Sequence, residues 1–245
     1  IEEFSIVRGD TLARPAFLEN DELKKFNVIL ANPPYSIKAW DQKSFANDPY
    51  GRNLWGLPPQ GCADYAFQQH IQKSLDEHNG RSISLWPHGV LFRDKEADLR
   101  KKMIEEDLVE CVIGLGPNLF YNSPMEACLL ITKTNKEESK KGKILFINAV
   151  DEVKQEKTMG ILEEIHINKI FKAYLDFTNK QNFSVLLTNE EVLVNNGNMS
   201  ISLYVRTQEL SMETVVNFEE VYDSWNDSSK QLKKSMKQFF EILDN

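Results

Sequence analysis

Residues 32–35, with the sequence Asn-Pro-Pro-Tyr, have the types and spacing that could bind a planar amine. The side chain of Asn32 offers a carbonyl acceptor, and the backbone carbonyl of Pro33 is free to accept a second hydrogen bond. Two acceptors that converge on one amino group would hold it and draw electron density towards its nitrogen, while the Tyr35 ring could stack on the flat group that carries the amine. The alternative is a Pro-Pro turn after a core strand, with Asn32 as a local cap.

The chain before this motif is predicted to place it at the edge of a sheet. Residues 26–31 form a mostly apolar run of strand length. Pro33 restricts the residue before it and Pro34 lacks a backbone donor, so the strand must end there. In open α/β sheets, ligands bind outside the carboxyl ends of the strands. Asp10 follows a shorter predicted strand at residues 5–8, and it could either accept from a ligand amine or form a Gly-Asp turn.

Strand-like and helix-like segments alternate through the first 150 residues, which is typical of a parallel sheet with crossover helices. The predicted strands are 5–8, 26–31, 83–86, 108–115, 127–133 and 143–149, and the predicted helices are 17–26, 62–78 and 93–106. Asn20 or Asp21 would cap the first helix. Strand 127–133 is expected to return in the manner of a hairpin after strand 108–115. The fold class is therefore α/β.

The segment 36–61 is predicted to be a long irregular loop, and loops of this length are commonly functional. It interleaves basic and aromatic side chains, which suits contact with a nucleic-acid strand, although a self-packed loop explains the same composition. The residues concerned are Lys38, Trp40, Lys43, Tyr50, Arg52 and Trp55.

The composition is that of an ordinary globular protein, with 245 residues, 41% hydrophobic and 27% charged. No apolar run approaches membrane-spanning length. The three cysteines lie far apart, which fits a reducing cytoplasm better than a disulfide framework or a zinc site. His88 sits in a Pro-His-Gly turn without a catalytic partner nearby in the sequence, and no pair of histidines has metal-ligand spacing, so we expect no metal.

The net charge of −8 implies that, if this chain acts on DNA, a partner supplies much of the DNA-binding affinity.

The pattern changes beyond about residue 150. A helix is predicted across residues 161–175, and the stretches 183–187 and 198–205 read as strand-like or extended. Residues 213–243 carry an apolar side chain every seven positions, which favours a helical arm that binds a partner helix; packing against the chain's own domain is the alternative. These positions are Phe218, Trp225, Leu232 and Phe239.

A series of motifs, in this order, resembles the modification subunit of type I restriction–modification systems. They are Gly-Asp-Thr-Leu (9–12), Asn-Pro-Pro-Tyr (32–35), Ala-Asp-Tyr-Ala-Phe (63–67), Pro-His-Gly-Val-Leu-Phe-Arg (87–93), Val-Ile-Gly-Leu (112–115) and Asn-Leu-Phe-Tyr (118–121). The tetrapeptide at 32–35 alone is shared with RNA guanine and protein glutamine methyltransferases. The stretches 87–93 and 118–121 separate the restriction family from those enzymes.

This resemblance implies a Rossmann-like methyltransferase sheet, mixed but mostly parallel, that transfers a methyl group from S-adenosylmethionine to adenine N6 in DNA. It assigns catalytic roles to Asn32, Pro33, Pro34 and Tyr35. Asp10, Thr11 and Asn32 would bind the cofactor, and Tyr35 with Phe120 or Tyr121 would stack on a flipped adenine. The expected partners are a DNA-recognition subunit, a restriction subunit and the DNA duplex.

The resemblance also divides the chain into a partial catalytic domain (1–150), its extension (151–210) and a docking arm (211–245). In the family the glycine-rich cofactor loop lies before the first of these motifs, so we expect a truncated domain that alone binds S-adenosylmethionine weakly or not at all and is inactive. Two other functions are kept as alternatives: a non-catalytic assembly module, and a protein glutamine-N5 methyltransferase.

Overall fold

A computed structural model describes residues 4–120, 124–157, 159–205 and 218–243. Its strands are β1 (Leu18–Glu19), β2 (Glu22–Leu23), β3 (Val28–Ala31), β4 (Arg81–Pro87), β5 (Val109–Leu115), β6 (Ala127–Lys133), β7 (Lys143–Ala149), β8 (Lys154–Gln155), β9 (Gly160–Ile161) and β10 (Ser184–Thr188). Its α-helices are α1 (Gln42–Ala46), α2 (Asp64–Lys73), α3 (Ala97–Glu105), α4 (Glu164–Asp176), α5 (Asn189–Val194), α6 (Ile201–Tyr204) and α7 (Phe218–Leu243).

The central element is a six-stranded sheet with the order β10-β7-β5-β6-β4-β3. The pairs β3·β4 and β5·β7 are parallel, whereas the other three pairs are antiparallel. The mixed α/β sheet predicted from the sequence is confirmed, as is the antiparallel return of β6 beside β5. Four of these strands run in one direction, and β6 and β10 run in the other. Most strands therefore share one direction, although only two of the five neighbouring pairs are parallel.

Two layers of apolar side chains cover the two faces of this sheet, because successive strand residues point to opposite sides. Helices α2, α3, α5 and α6 pack on one face and α4 packs on the other. All seven residues of β5 are buried, as expected for a strand covered on both faces. By contrast, β3 lies at the edge of the sheet, where Val28 and Leu30 are exposed.

The predicted helix at residues 17–26 is wrong, because this segment is the hairpin β1–β2. Asn20 and Asp21, which were expected to cap a helix, occupy its two-residue turn, and both have positive φ angles of 52° and 63°. A turn with two left-handed residues matches the twist of paired strands, and Asn and Asp tolerate that conformation. The sequence signals for a helix cap and for this turn use the same residue types.

Two further expectations fail. Residues 5–8 form no strand and are exposed. Residues 198–205 are not an extended stretch but contain the short helix α6, whose Ile201 packs in the core. Helix α5 was not predicted; its start is fixed by a reciprocal pair of hydrogen bonds between Thr188 and Glu191.

The last described element, α7, is one continuous helix of 26 residues within a separate unit that spans Gln208–Asn245. The helix is not interrupted at residues 226–229, and Trp225, Leu232 and Met236 are exposed on it. The predicted helical arm is therefore present, while the division of the chain at residues 150 and 210 stays a prediction. Within the described residues, none of the helices combines the length and hydrophobicity that crossing a bilayer requires.

Candidate functional site

The loop Asn32–Tyr35 lies at the carboxyl end of β3, beside the end of β4 at Pro87. Because β3 and β4 are parallel, the two loops leave the sheet at the same edge. The Asn32–Tyr35 loop and the end of β4 at Pro87 line one cavity of about 530 Å³, together with the segment before β6 and its first residue. The cavity residues are Asn32, Pro33, Pro34, Tyr35, Pro87, Phe120, Met125, Glu126 and Ala127.

Asn32 and Tyr35 contact each other directly within this cavity. The Tyr35 hydroxyl donates a hydrogen bond to Asn32 Oδ1 over 2.9 Å. Burial raises the pKa of Tyr35, and the nearby Cys128 and Asp64 raise it further, so the hydroxyl stays protonated and a donor near neutrality. An amide oxygen has two lone pairs, and Asn32 Oδ1 therefore retains one for a ligand.

Phe120 lines the same cavity as Tyr35, which places two aromatic side chains around one space. A planar ring that enters such a space can stack on aromatic faces. The second aromatic residue suggested by the sequence, Tyr121, lies outside the described residues.

Of the predicted cofactor residues, Asn32 lines this cavity, whereas Asp10 and Thr11 do not. Asp10 lines a second cavity of about 220 Å³, and Thr11 lines a third of about 350 Å³. Asp10 Oδ1 accepts from the backbone amides of Leu12 and Ala13, each over 3.0 Å, so the turn expected as an alternative is present. The second cavity also presents Trp40 and Tyr50. An exposed carboxylate beside aromatic rings fits an adenine-like group, whose amine donates and whose ring stacks.

Arg52 holds the loop that carries Asp10. Its guanidinium donates to the carbonyl oxygens of Thr11 (2.9 Å) and Leu12 (2.7 Å), and it forms a buried ion pair with Asp48. Arg52 is 2% exposed and Trp55 is 1% exposed. The expectation that these two residues contact a nucleic-acid strand is therefore wrong, and for them the self-packed loop is correct.

Asp64 and Arg93 were not singled out from the sequence, although each lies in one of the motifs noted above. The Asp64 carboxylate accepts from the backbone amide of Ser36, directly after the Asn32–Tyr35 loop, over 2.6 Å. Arg93 pairs with both Asp64 and Glu96. Only the folded chain brings these groups together.

His88 makes structural contacts. Its Nε2 atom lies 3.0 Å from the carbonyl oxygen of Ala127, and its Nδ1 atom lies 3.7 Å from Glu126. These contacts join the turn after β4 to the start of β6. The three cysteines are buried free thiols.

A sequence model of the N-6 DNA methylase family matches residues 1–213. The chain belongs to this family. Among curated proteins, it is 33% identical to the type I restriction enzyme MjaVIII methylase subunit of Methanocaldococcus jannaschii, over 92% of this chain and 40% of the relative. It is 28% identical to the MpnII methylase subunit of Mycoplasma pneumoniae, over 99% of this chain and 46% of that protein.

Solved structures of methylase family members share the fold. The methyltransferase subunit of a type I restriction–modification system from Streptococcus thermophilus superposes with a TM-score of 0.73 at 34% identity, over 80% of this chain and 41% of that chain. The EcoKI M protein superposes with a TM-score of 0.55 at 13% identity, which shows the fold alone. The chain thus spans less than half the length of these relatives.

The Arg52→Ala variant tests the anchoring of the Asp10 loop. It leaves the Asp48 carboxylate buried without its partner, so we expect the free energy of unfolding in urea to fall by about 3–5 kcal/mol. Lys180→Ala is the matched control, because Lys180 pairs with Asp176 at the same spacing on the surface, and it should cost at most about 1 kcal/mol. A loss for Arg52→Ala no greater than that of the control would contradict the anchoring role.

Proposed function

We propose that this chain carries the methyl-acceptor site of a DNA adenine-N6 methyltransferase and acts as the methylase subunit of a type I restriction–modification complex. The observation that supports this most strongly is the single cavity shared by Asn32, Pro33, Tyr35 and Phe120. Family membership and the similarity to type I methylase subunits support the same reaction.

The substrate is an adenine that has left the base stack, because its amino group is paired and stacked inside a duplex. In the cavity its ring lies against Tyr35, with Phe120 on the other side. The amino group donates to Asn32 Oδ1 and to the Pro33 carbonyl, and these acceptors orient the nitrogen for in-line attack. S-adenosylmethionine supplies the methyl group when it is bound. The protein contributes positioning and electrostatics, without a covalent enzyme intermediate.

The cofactor adenine is assigned to the cavity that Asp10 lines. Asp10 Oδ1 already accepts two backbone amides, so its Oδ2 is the oxygen that would accept from the cofactor amine. Trp40 and Tyr50 provide aromatic faces there. Thr11 contributes through the same loop, which Arg52 holds in place.

The partners are a DNA-recognition subunit and a restriction subunit for cleavage. The recognition subunit binds the exposed apolar stripe of α7, which consists of Trp225, Leu232 and Met236. The net charge of −8 supports DNA binding that is shared with these partners, since a protein that binds a duplex alone needs many basic side chains in contact with phosphates. We place the complex in the cytoplasm, where free thiols such as these stay reduced. A purely non-catalytic assembly module would have no need for the acceptor geometry of Asn32.

Substitutions at the acceptor site should reduce methyl transfer. In the full-length protein assembled with its partners, Asn32→Ala should lower the rate by about 10²–10³-fold, as does removal of one preorganised polar group elsewhere. Tyr35→Ala should also lose most activity through loss of stacking. Tyr35→Phe is the matched control, because it keeps the ring and loses only the hydroxyl, and it should retain most activity. The measurement is the initial rate of N6-methyladenine formation in DNA by the purified complex.

Normal methylation by Asn32→Ala or Tyr35→Ala would refute the role assigned to that residue. Absence of N6-methyladenine with the wild-type complex would refute the proposed function itself.

The arm is tested by co-purification. Trp225→Asp with Leu232→Asp places charges on the exposed apolar stripe and should abolish recovery of the recognition subunit, while circular dichroism shows retained helix. Lys234→Asp is the control on the opposite side of the helix, nine residues from Trp225 at 100° per residue. Unchanged recovery with the double variant would rule out this docking surface.

A further inference from the structure

Ser36, the residue after the Asn32–Tyr35 loop, has an unusual backbone conformation. Its φ angle is +51°, in the left-handed region that residues other than glycine seldom adopt. Such a conformation persists only where the surroundings hold it. The surrounding contact is the hydrogen bond that the Ser36 backbone amide donates to Asp64 Oδ1, over 2.6 Å.

Asp64 is the first residue of α2, and its side chain is fully buried. A carboxylate at this position is favoured by the helix dipole. Its oxygens do not cap the helix, because they accept instead from groups distant in sequence: Ser36, and the guanidinium of Arg93. The Cys62 thiol donates to Oδ2 over 3.1 Å. A buried carboxylate with this many donors is a fixed anchor.

The same cluster could be taken for a cation site, because ligand atoms of Cys62, Asp64 and Glu96 lie within 4.8 Å of one another. The cation is already supplied by Arg93, whose Nε donates to Glu96 over 2.6 Å and whose Nη2 pairs with Asp64. Burial raises the pKa of the Cys62 thiol to about 12, so it is a protonated donor and a poor metal ligand. The geometry is that of an ion-paired anchor.

We propose that Asp64 is a positioning residue for methyl transfer, because its bond to the Ser36 amide sets the conformation of the Asn32–Tyr35 loop. This inference rests on the proposed function. Strand β3 fixes the chain up to Ala31, one residue before the loop, and Asp64 fixes it one residue beyond Tyr35. Arg93 and Glu96 in turn fix Asp64. The acceptor oxygen of Asn32 and the ring of Tyr35 are thereby held before the substrate arrives.

The variant Asp64→Asn tests this role in the full-length protein with its partners. It keeps the size of the side chain but breaks the pairing with Arg93 and turns one oxygen into a donor. We expect kcat to fall about 10–100-fold, as small misplacements of catalytic groups cause, with the KM for DNA unchanged. In hydrogen–deuterium exchange, the peptide that contains the Ser36 amide should exchange faster, while peptides from β5 stay protected.

Asp107→Asn is the matched control. Asp107 also pairs with a buried cation, Lys136, and accepts a hydrogen bond from a backbone amide, that of Gly142. Among the described hydrogen bonds and ion pairs, it has none with the Asn32–Tyr35 loop. It should lose stability without faster exchange at Ser36 and without loss of kcat. If Asp64→Asn does not fold, Arg93→Lys replaces it, because lysine cannot bridge Asp64 and Glu96 as a planar fork does. That variant should change kcat and exchange in the same directions.

Wild-type kcat, or unchanged exchange at Ser36, in the folded Asp64→Asn variant would overturn the proposal. The same results in Arg93→Lys would do so if that variant takes its place. The exchange measurement needs no methyl transfer, so it separates a failure of this proposal from a failure of the proposed function.

Discussion

The parallel pairing of β3 with β4 is the constraint on which the candidate site depends. Val28 to Ala31 lie in register with Arg81 to Ser84, so the two strands leave the sheet at one edge. Strand β4 ends at Pro87, and Pro33 and Pro34 follow β3 after Asn32; proline cannot donate to a neighbouring strand. The Asn32–Tyr35 loop therefore starts close to the end of β4, and it lines one cavity with Pro87. A shift of one residue would turn the strand's side chains to the other face, and the packing on the sheet opposes such a shift.

Two arginines, the buried Arg52 and the partly exposed Arg93, hold the loops around the candidate site. Arg52 fixes the Asp10 loop, and Arg93 fixes Asp64, which in turn binds the Ser36 amide. A buried charge is tolerated only when it is paired and hydrogen-bonded, so the buried carboxylates of Asp48 and Asp64 each require the arginine that pairs with them. Both guanidiniums form ion pairs within the chain. In an acidic chain this leaves fewer cations for DNA phosphates, which is consistent with the proposal that DNA binding is shared among subunits.

Much of the fold could be predicted from the sequence. The strands β6 and β7 have the predicted bounds because each is an apolar run between polar turns. The hairpin at residues 18–23 could not be distinguished from a helix start, since Asn20 and Asp21 suit both. Residues 5–8 have a strand-like composition but form no strand in the structure.

The site was predictable in part. Asn32 and Tyr35 were identified by their chemistry, and Phe120 was added by the family resemblance. The roles of these residues stay predictions, whereas their shared cavity is a property of the structure. Asp64 was missed because a buried ionic contact between distant residues leaves no periodic or local signal. Arg52 was misinterpreted for the same reason: the composition of its segment, residues 36–61, resembles that of a nucleic-acid-binding loop.

The most direct test of the central claim is a crystal structure of the full-length protein with its recognition subunit, a cofactor analogue and a duplex that contains its methylated sequence. The account predicts one adenine outside the duplex, stacked between Tyr35 and Phe120, with its amino nitrogen within hydrogen-bond distance of Asn32 Oδ1 and the Pro33 carbonyl. An adenine that lies elsewhere, or one whose amino group makes no contact with Asn32, would contradict it.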